Sequence, residues 1–247
     1  MLADVLSKWR FNPVALVKGT LIEPVAAVVR RAVHEFAAVP RKREPRPRIV
    51  VAGEFYVRLD GRCNQYVIDK IERAGGQAML SPATEFLAHA VYRELKSARE
   101  TLVVNGGLGA RLNVLVRAWI SDLARRDQVA IERCLHELIP DAYEPDAAEI
   151  ERLSSQYVSR HYGGEPPATI GSTCAQAGRG RADGAVFVAP FGYMPGAMVE
   201  AQVERLRRDL SIPVVPLCYD GTESPNTQDF VERVVMQARQ RMRAPVL

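Results

Sequence analysis

The chain has no run approaching the roughly 18 consecutive apolar residues that a membrane-spanning helix needs. Its start, MLADVLSKWRF, lacks the charged-then-apolar layout of a signal peptide. Cysteine is scarce: Cys63, Cys134, Cys174 and Cys218 are the whole complement, and none stands in a CxxC pair. That excludes zinc ribbons and thioredoxin-type redox motifs. There are four histidines, and none lies in a local signature with a cysteine. Aromatic residues are 7% of the chain, and none interleaves with its most basic stretch, Pro40-Arg41-Lys42-Arg43-Glu44-Pro45-Arg46-Pro47-Arg48. Prolines alternate there with the charges, so a stiff, solvated linker is expected rather than a nucleic-acid surface. These absences predict a cytoplasmic protein with no nucleic-acid and no membrane partner.

What is present is ordinary globular composition: 247 residues, 47% hydrophobic and 25% charged. Arginine and lysine exceed the acidic residues by 33 − 29, a formal charge of +4. The length suffices for one large domain or two small lobes with a real core.

Residues 24–36 read as a helix with proline in its first turn. After the basic linker, Ile49-Val50-Val51-Ala52-Gly53 is fully apolar, the pattern of a strand buried on both faces. Val67, Ile68, Ile71 and Ala74 then fall at helical spacing and Gly75-Gly76 ends that helix. Gln77–Leu80 is a second strand candidate, and Ser81-Pro82-Ala83-Thr84-Glu85 opens a new helix. Residues 84–162 are expected to be mostly helical, broken once at Asn105-Gly106-Gly107.

Alternation then returns. Ala168–Gly171 reads as a weak strand and Ala185–Ala189 as a strong one. Val199, Val203, Leu206 and Leu210 stripe a helix. Ile212–Leu217 reads as a peripheral strand because of its prolines. Asn226 or Thr227 caps a last helix with Phe230, Val231, Val234, Val235, Ala238 and Met242 on its buried face. The expected architecture is α/β: two Rossmann-like parallel-sheet lobes with a helical insertion and an N-terminal helical segment. Its divisions are 1–47 (N-terminal helical segment and linker), 48–110 (first lobe), 111–162 (helical insertion) and 163–247 (second lobe).

In open parallel sheets, ligands bind beyond the carboxyl ends of the strands. That singles out Glu54, Arg58 and Asn64 after the first strand, Phe191 and Tyr193 after the strong one, and Asp220 after the last. Gly171-Ser172-Thr173 could cradle a phosphate at a helix start. Cys63, Cys174 and Cys218 fall at or just beyond expected strand ends, which makes them candidate metal ligands if they converge. Cys134 reads as structural.

Two groups of loops carry a resemblance. One is Val51-Ala52-Gly53-Glu54-Phe55-Tyr56-Val57-Arg58 with Asn64, the Gly75-Gly76 step and Ser81–Phe86. The other is Gly164-Glu165, Thr169-Ile170-Gly171, Ala182–Val186, Pro190-Phe191-Gly192-Tyr193-Met194-Pro195-Gly196, Ile212-Pro213 and Tyr219-Asp220-Gly221. Over residues 48–240 they resemble the 2-hydroxyacyl-CoA dehydratase superfamily, in the branch of activase-related and double-cubane cluster proteins. The resemblance implies two Rossmann-like lobes with an iron–sulfur cluster between them, an ATP-dependent activator that supplies a low-potential electron, and anaerobic metabolism. It also implies a departure: Tyr193 stands where the family places a cluster cysteine, and residues 1–47 hold no cysteine. Thiolate is the ligand on which such clusters rely. Three readings follow. The chain is an iron–sulfur redox component, alone or completed by a cluster-bearing partner. Or it is a non-catalytic paralogue subunit with no cluster of its own. Or it is an acyl-CoA or small-ligand binding protein, with Arg58 or Arg179 and Arg181 facing phosphate.

Overall fold

A computed structural model describes residues 23–40, 44–136, 138–139, 143–223 and 226–243. Residues 1–22 of the expected N-terminal segment and Arg41–Arg43 of the linker lie outside these. The chain divides into two compact units: Met1–Arg43 with Ala90–Glu144, and Glu44–His89 with Pro145–Leu247.

The second unit contains one four-stranded parallel sheet. Its strands are β1 (Arg48–Gly53), β2 (Gln77–Leu80), β3 (Gly184–Pro190) and β4 (Val214–Tyr219), in the spatial order β2-β1-β3-β4. The strands before and after the helical segment therefore join one sheet, where the sequence suggested two lobes. The physical link is the β1–β3 ladder, which pairs Val50 with Ala185 and Ala52 with Phe187. Both strands are apolar at every interior position, as central parallel strands buried on two faces must be. β4, which follows Pro213 and contains Pro216, lies at an edge, where a missing N–H costs least.

Side chains alternate between two cores. On one face Ile49, Val51, Val186, Val188, Leu217 and Tyr219 pack with α3 (Val67–Arg73) and α10 (Thr227–Arg243). On the other Val50, Ala52, Ala185, Phe187 and Val214 pack with α7 (Pro166–Gly178), α8 (Met194–Glu200) and α9 (Val203–Leu210). α2 (Phe55–Leu59) follows β1 directly, and α6 (Ala147–Ser154) packs closely on α7.

Residues 168–171 are helical, within α7, not a strand. Pro166 and Pro167 fit a helix's first turn, and ten of the thirteen residues are buried, so the segment lacks the polar face that would have marked it as a helix. Gly171 sits mid-helix where a Cβ would come within 2.3 Å of the Ile150 oxygen, so it serves helix packing and not a phosphate. On α10, Val231, Val234, Val235 and Ala238 are buried as expected, but Phe230 and Met242 are exposed, since both lie at the margins of the apolar stripe.

The described residues of the first unit are mostly helical. α1 (Glu23–Ala37) buries Ala26 and Val33 and packs on α5 (Leu108–Leu135). α4 (Ala83–Asn105) precedes α5, and Glu94 pairs with Arg117 across the two. No residue of α5 is fully buried, and Leu108, Leu112, Leu115 and Trp119 are exposed. No helix among the described residues is long and apolar enough to cross a membrane.

Candidate functional site

The chain leaves β1 to form β2 on one side and reaches β3 on the other, so strand order reverses between β1 and β3. Loops diverge at such a point and leave a crevice at the carboxyl ends of the strands. A small cavity lies there, with space for water of about 20 Å³, room for a single molecule. Gly53 makes the turn out of β1 at φ +121°, and any side chain there would strike Val188, its Cβ 2.1 Å from the carbonyl oxygen. The Glu54 N–H donates to that same oxygen at 2.8 Å.

Glu54 is the N-cap of α2, its Oε2 accepting from the Val57 N–H at 2.6 Å. Glu165, immediately before α7, bridges the site: Oε1 accepts from the Phe55 N–H and Oε2 from the Tyr193 hydroxyl, both at 2.8 Å. Burial, reinforced by the Glu165 hydrogen bond and charge, holds the Tyr193 phenol above its ordinary range. The cavity thus has Glu54, Glu165, Tyr193, Glu200 and Cys218 on its walls. Tyr193 and Glu165 are joined to each other along its wall.

Three of the candidates come together there: Glu54, Tyr193 and Cys218. The others serve elsewhere. Arg58 is 3% exposed; it donates to the Pro82 carbonyl at 3.3 Å and lies 5.9 Å from the Phe55 ring centroid, so it faces no solvent-borne phosphate. Asn64, 2% exposed, donates to the Val57 and Arg58 carbonyls and accepts from the Val67 N–H. Phe191 projects outward, 78% exposed. Asp220 closes its own loop by accepting from the Thr222 hydroxyl and N–H, which lowers its pKa. Arg179 pairs with Glu149, and Arg181 bonds Gln176.

The three candidate thiols have separate surroundings. Cys63 lies in the loop after α2, where burial and Asp60 raise its pKa. Cys174 is in α7, against Tyr157, and burial pushes it up to about 11. Cys218 alone lines the cavity; burial, then Glu200 with its Oε2 4.0 Å from the sulfur, raise it too. All three are thiols at neutral pH, and no group of three or more His, Cys, Asp or Glu with metal-binding geometry occurs among the described residues. Among the described residues, Cys63, Cys174 and Cys218 therefore do not come together as one donor set.

Sequence reasoning missed Glu165 and Glu200 as wall residues. Glu165 contacts residues 110 positions upstream and 28 downstream, a closure that no local pattern signals. The available cue was an acidic residue directly before a Pro-Pro helix start. No protein-family model matches the chain, and neither a curated protein nor a solved structure matches it.

Proposed function

We propose that this chain is a non-catalytic α/β subunit resembling the activase-related branch of the 2-hydroxyacyl-CoA dehydratase superfamily, holding no cluster of its own and acting with a cluster-bearing partner. One Rossmann-like sheet of order β2-β1-β3-β4 is what a single lobe of that architecture would contribute, the second lobe coming from the partner or its ATP-dependent activator. The observation that carries the reading is the Tyr193–Glu165 hydrogen bond. It fills the place where the family resemblance puts a cluster thiolate and leaves space for about one water. A protonated phenol is a poor replacement for thiolate, and only one of the three candidate cysteines reaches the cavity.

The redox reading, in which the chain itself carries iron and sulfide, rests on Cys218 at the cavity wall. Anaerobic purification with iron and acid-labile sulfide assays separates the two. The subunit reading expects a colourless protein, still empty after reconstitution, and expects Tyr193→Cys to remain empty because two thiolates do not make a ligand set. Stoichiometric iron and sulfide in the unmodified chain would overturn it.

A further inference from the structure

At the other end of the sheet, the chain enters β1 from its basic linker, and that end of the linker is anchored. Pro47 is buried, and its carbonyl accepts from the Gln77 N–H at 2.8 Å. This fixes Arg46 beside the carboxyl ends of α3 and α10. An open groove of about 490 Å³ lies there, lined by Arg46, Arg239 and Arg243 with Gly75 and Met242, and by a single carboxylate, Glu44.

The three guanidinium groups are held differently. Arg239 is half-buried and its Nη2 donates to the Ala74 and Gly75 carbonyls at 3.3 and 2.9 Å. Gly75 makes this approach possible: at φ +83° with no side chain, it leaves the space that a Cβ would occupy, 2.2 Å from Arg239 Nη2. Arg46 meets Glu44 only at 3.9 Å with both side chains exposed, a pairing of little energy. Arg243 has no partner among the described residues.

Arginine at a helix carboxyl end complements the helix dipole, which explains Arg239. It does not explain Arg46, which comes from another segment and adds a third like charge to the same groove. Three guanidinium groups against one exposed carboxylate leave a positive field in a concave, partly apolar space. Their planar forks match the oxygens of phosphate two at a time. A second groove of about 580 Å³ shares Arg239 and Arg243 and continues past Met236 to Arg233 and the carboxylates of Asp229 and Glu232.

We infer that Arg46, Arg239 and Arg243 form a receptor for a multiply charged phosphate group. The site is at the opposite end of the strands from the Glu165–Tyr193 cavity and does not depend on the function proposed above.

The test is a calorimetric titration of the full chain with sodium pyrophosphate, at ionic strength held constant with sodium chloride, paired with thermal unfolding. Saturable 1:1 binding and a concentration-dependent rise in Tm are expected. Arg46→Gln and Arg243→Gln should each weaken binding about tenfold or more, while leaving the ligand-free Tm unchanged because both side chains are exposed. Gly75→Ala, which displaces Arg239, should weaken binding as well. A nucleoside diphosphate that binds no tighter than pyrophosphate makes the phosphate chain the whole ligand; tighter binding extends the ligand into the groove beside Met236. Two results would overturn the site: a Tm rise that sodium chloride reproduces at equal ionic strength, or undiminished pyrophosphate binding by the Arg46→Gln, Arg243→Gln double variant.

Discussion

The two ends of the parallel sheet satisfy the backbone mostly with charges of opposite sign, Arg58 donating to the Pro82 carbonyl at one end and Asp183 accepting from the Arg48 N–H at the other being the exceptions. At the carboxyl ends of the strands, carboxyl groups accept from amides: Glu54 from Val57, Glu165 from Phe55, Asp60 from Arg62 and Cys63, Asp220 from Thr222. At the amino ends, guanidinium groups donate to carbonyls: Arg48 to Gly180, Arg207 to Val214, Arg239 to Ala74 and Gly75, Arg241 to Leu210. The cause is topological. Parallel strands require crossover helices that run back, so orphan N–H groups gather at one end of the sheet and orphan C=O groups at the other. A formal charge of +4 hides this division. The carboxyl end also has the tighter backbone, and it is there that substitution should tell most.

The sharpest break is at Gly53. Its Cβ would meet the Val188 oxygen at 2.1 Å and nitrogen at 2.7 Å, both backbone atoms of the central strand β3, which cannot yield. Gly53→Ala should therefore cost at least about 3 kcal/mol in urea unfolding. At the amino end Gly75→Ala meets only the tip of Arg239 and should cost less. Equal losses at the two positions would refute the contrast.

Asn64 comes next. It supports two consecutive left-handed residues, Gln65 at φ 53° and Tyr66 at φ 57°, each costing about 1–2 kcal/mol in that conformation. Its three hydrogen bonds hold the turn between α2 and α3, and Gln65 then reaches across to the Thr222 carbonyl. Asn64→Ala leaves two carbonyls and one N–H buried without it, for a loss of about 2–3 kcal/mol. Chemical-shift changes spreading to the Thr222 loop should accompany it; unaltered shifts there would show that the two loops are not coupled.

Much of this architecture was legible because local chemistry decides it. The fully apolar 49–53 run could only be a doubly buried strand, the prolines of 213 and 216 placed β4 at an edge, and Gly75-Gly76 marked a helix end. Residues 168–171 misled because a helix buried on nearly all sides has no polar stripe to set its period. Strand order was illegible for a different reason: the β1–β3 pairing spans more than 130 residues, and nothing in either strand names its neighbour. The site shows the same split. Glu54 and Tyr193 could be placed at strand ends from sequence, but their convergence through Glu165 could not. Nor could the spacing of Cys63, Cys174 and Cys218 reveal that they go to a loop, a helix core and a cavity wall.

The smallest effect at neutral pH belongs to Tyr219, the last residue of β4. Its ring packs in the core beneath α10, 6% exposed, and its hydroxyl is buried with no hydrogen-bond partner among the described residues. Tyr219→Phe removes an unsatisfied polar group without leaving a cavity, so the urea midpoint at pH 7 should stay level or rise. Burial, with Cys218 next to it, holds this phenol above its ordinary 10.0, and burial raises Tyr157 and Tyr193 as well. Below pH 10 these phenols are protonated in both folded and unfolded chains, and their contribution to stability is fully present. Above it the unfolded chain ionises first, and stability falls as pH climbs toward the folded values. Tyr219→Phe should therefore shallow the loss of stability above pH 10 relative to the unmodified chain. An unchanged alkaline slope would mean that Tyr219 ionises as readily in the folded chain as in the unfolded one, and that the carboxyl end is open to water at β4.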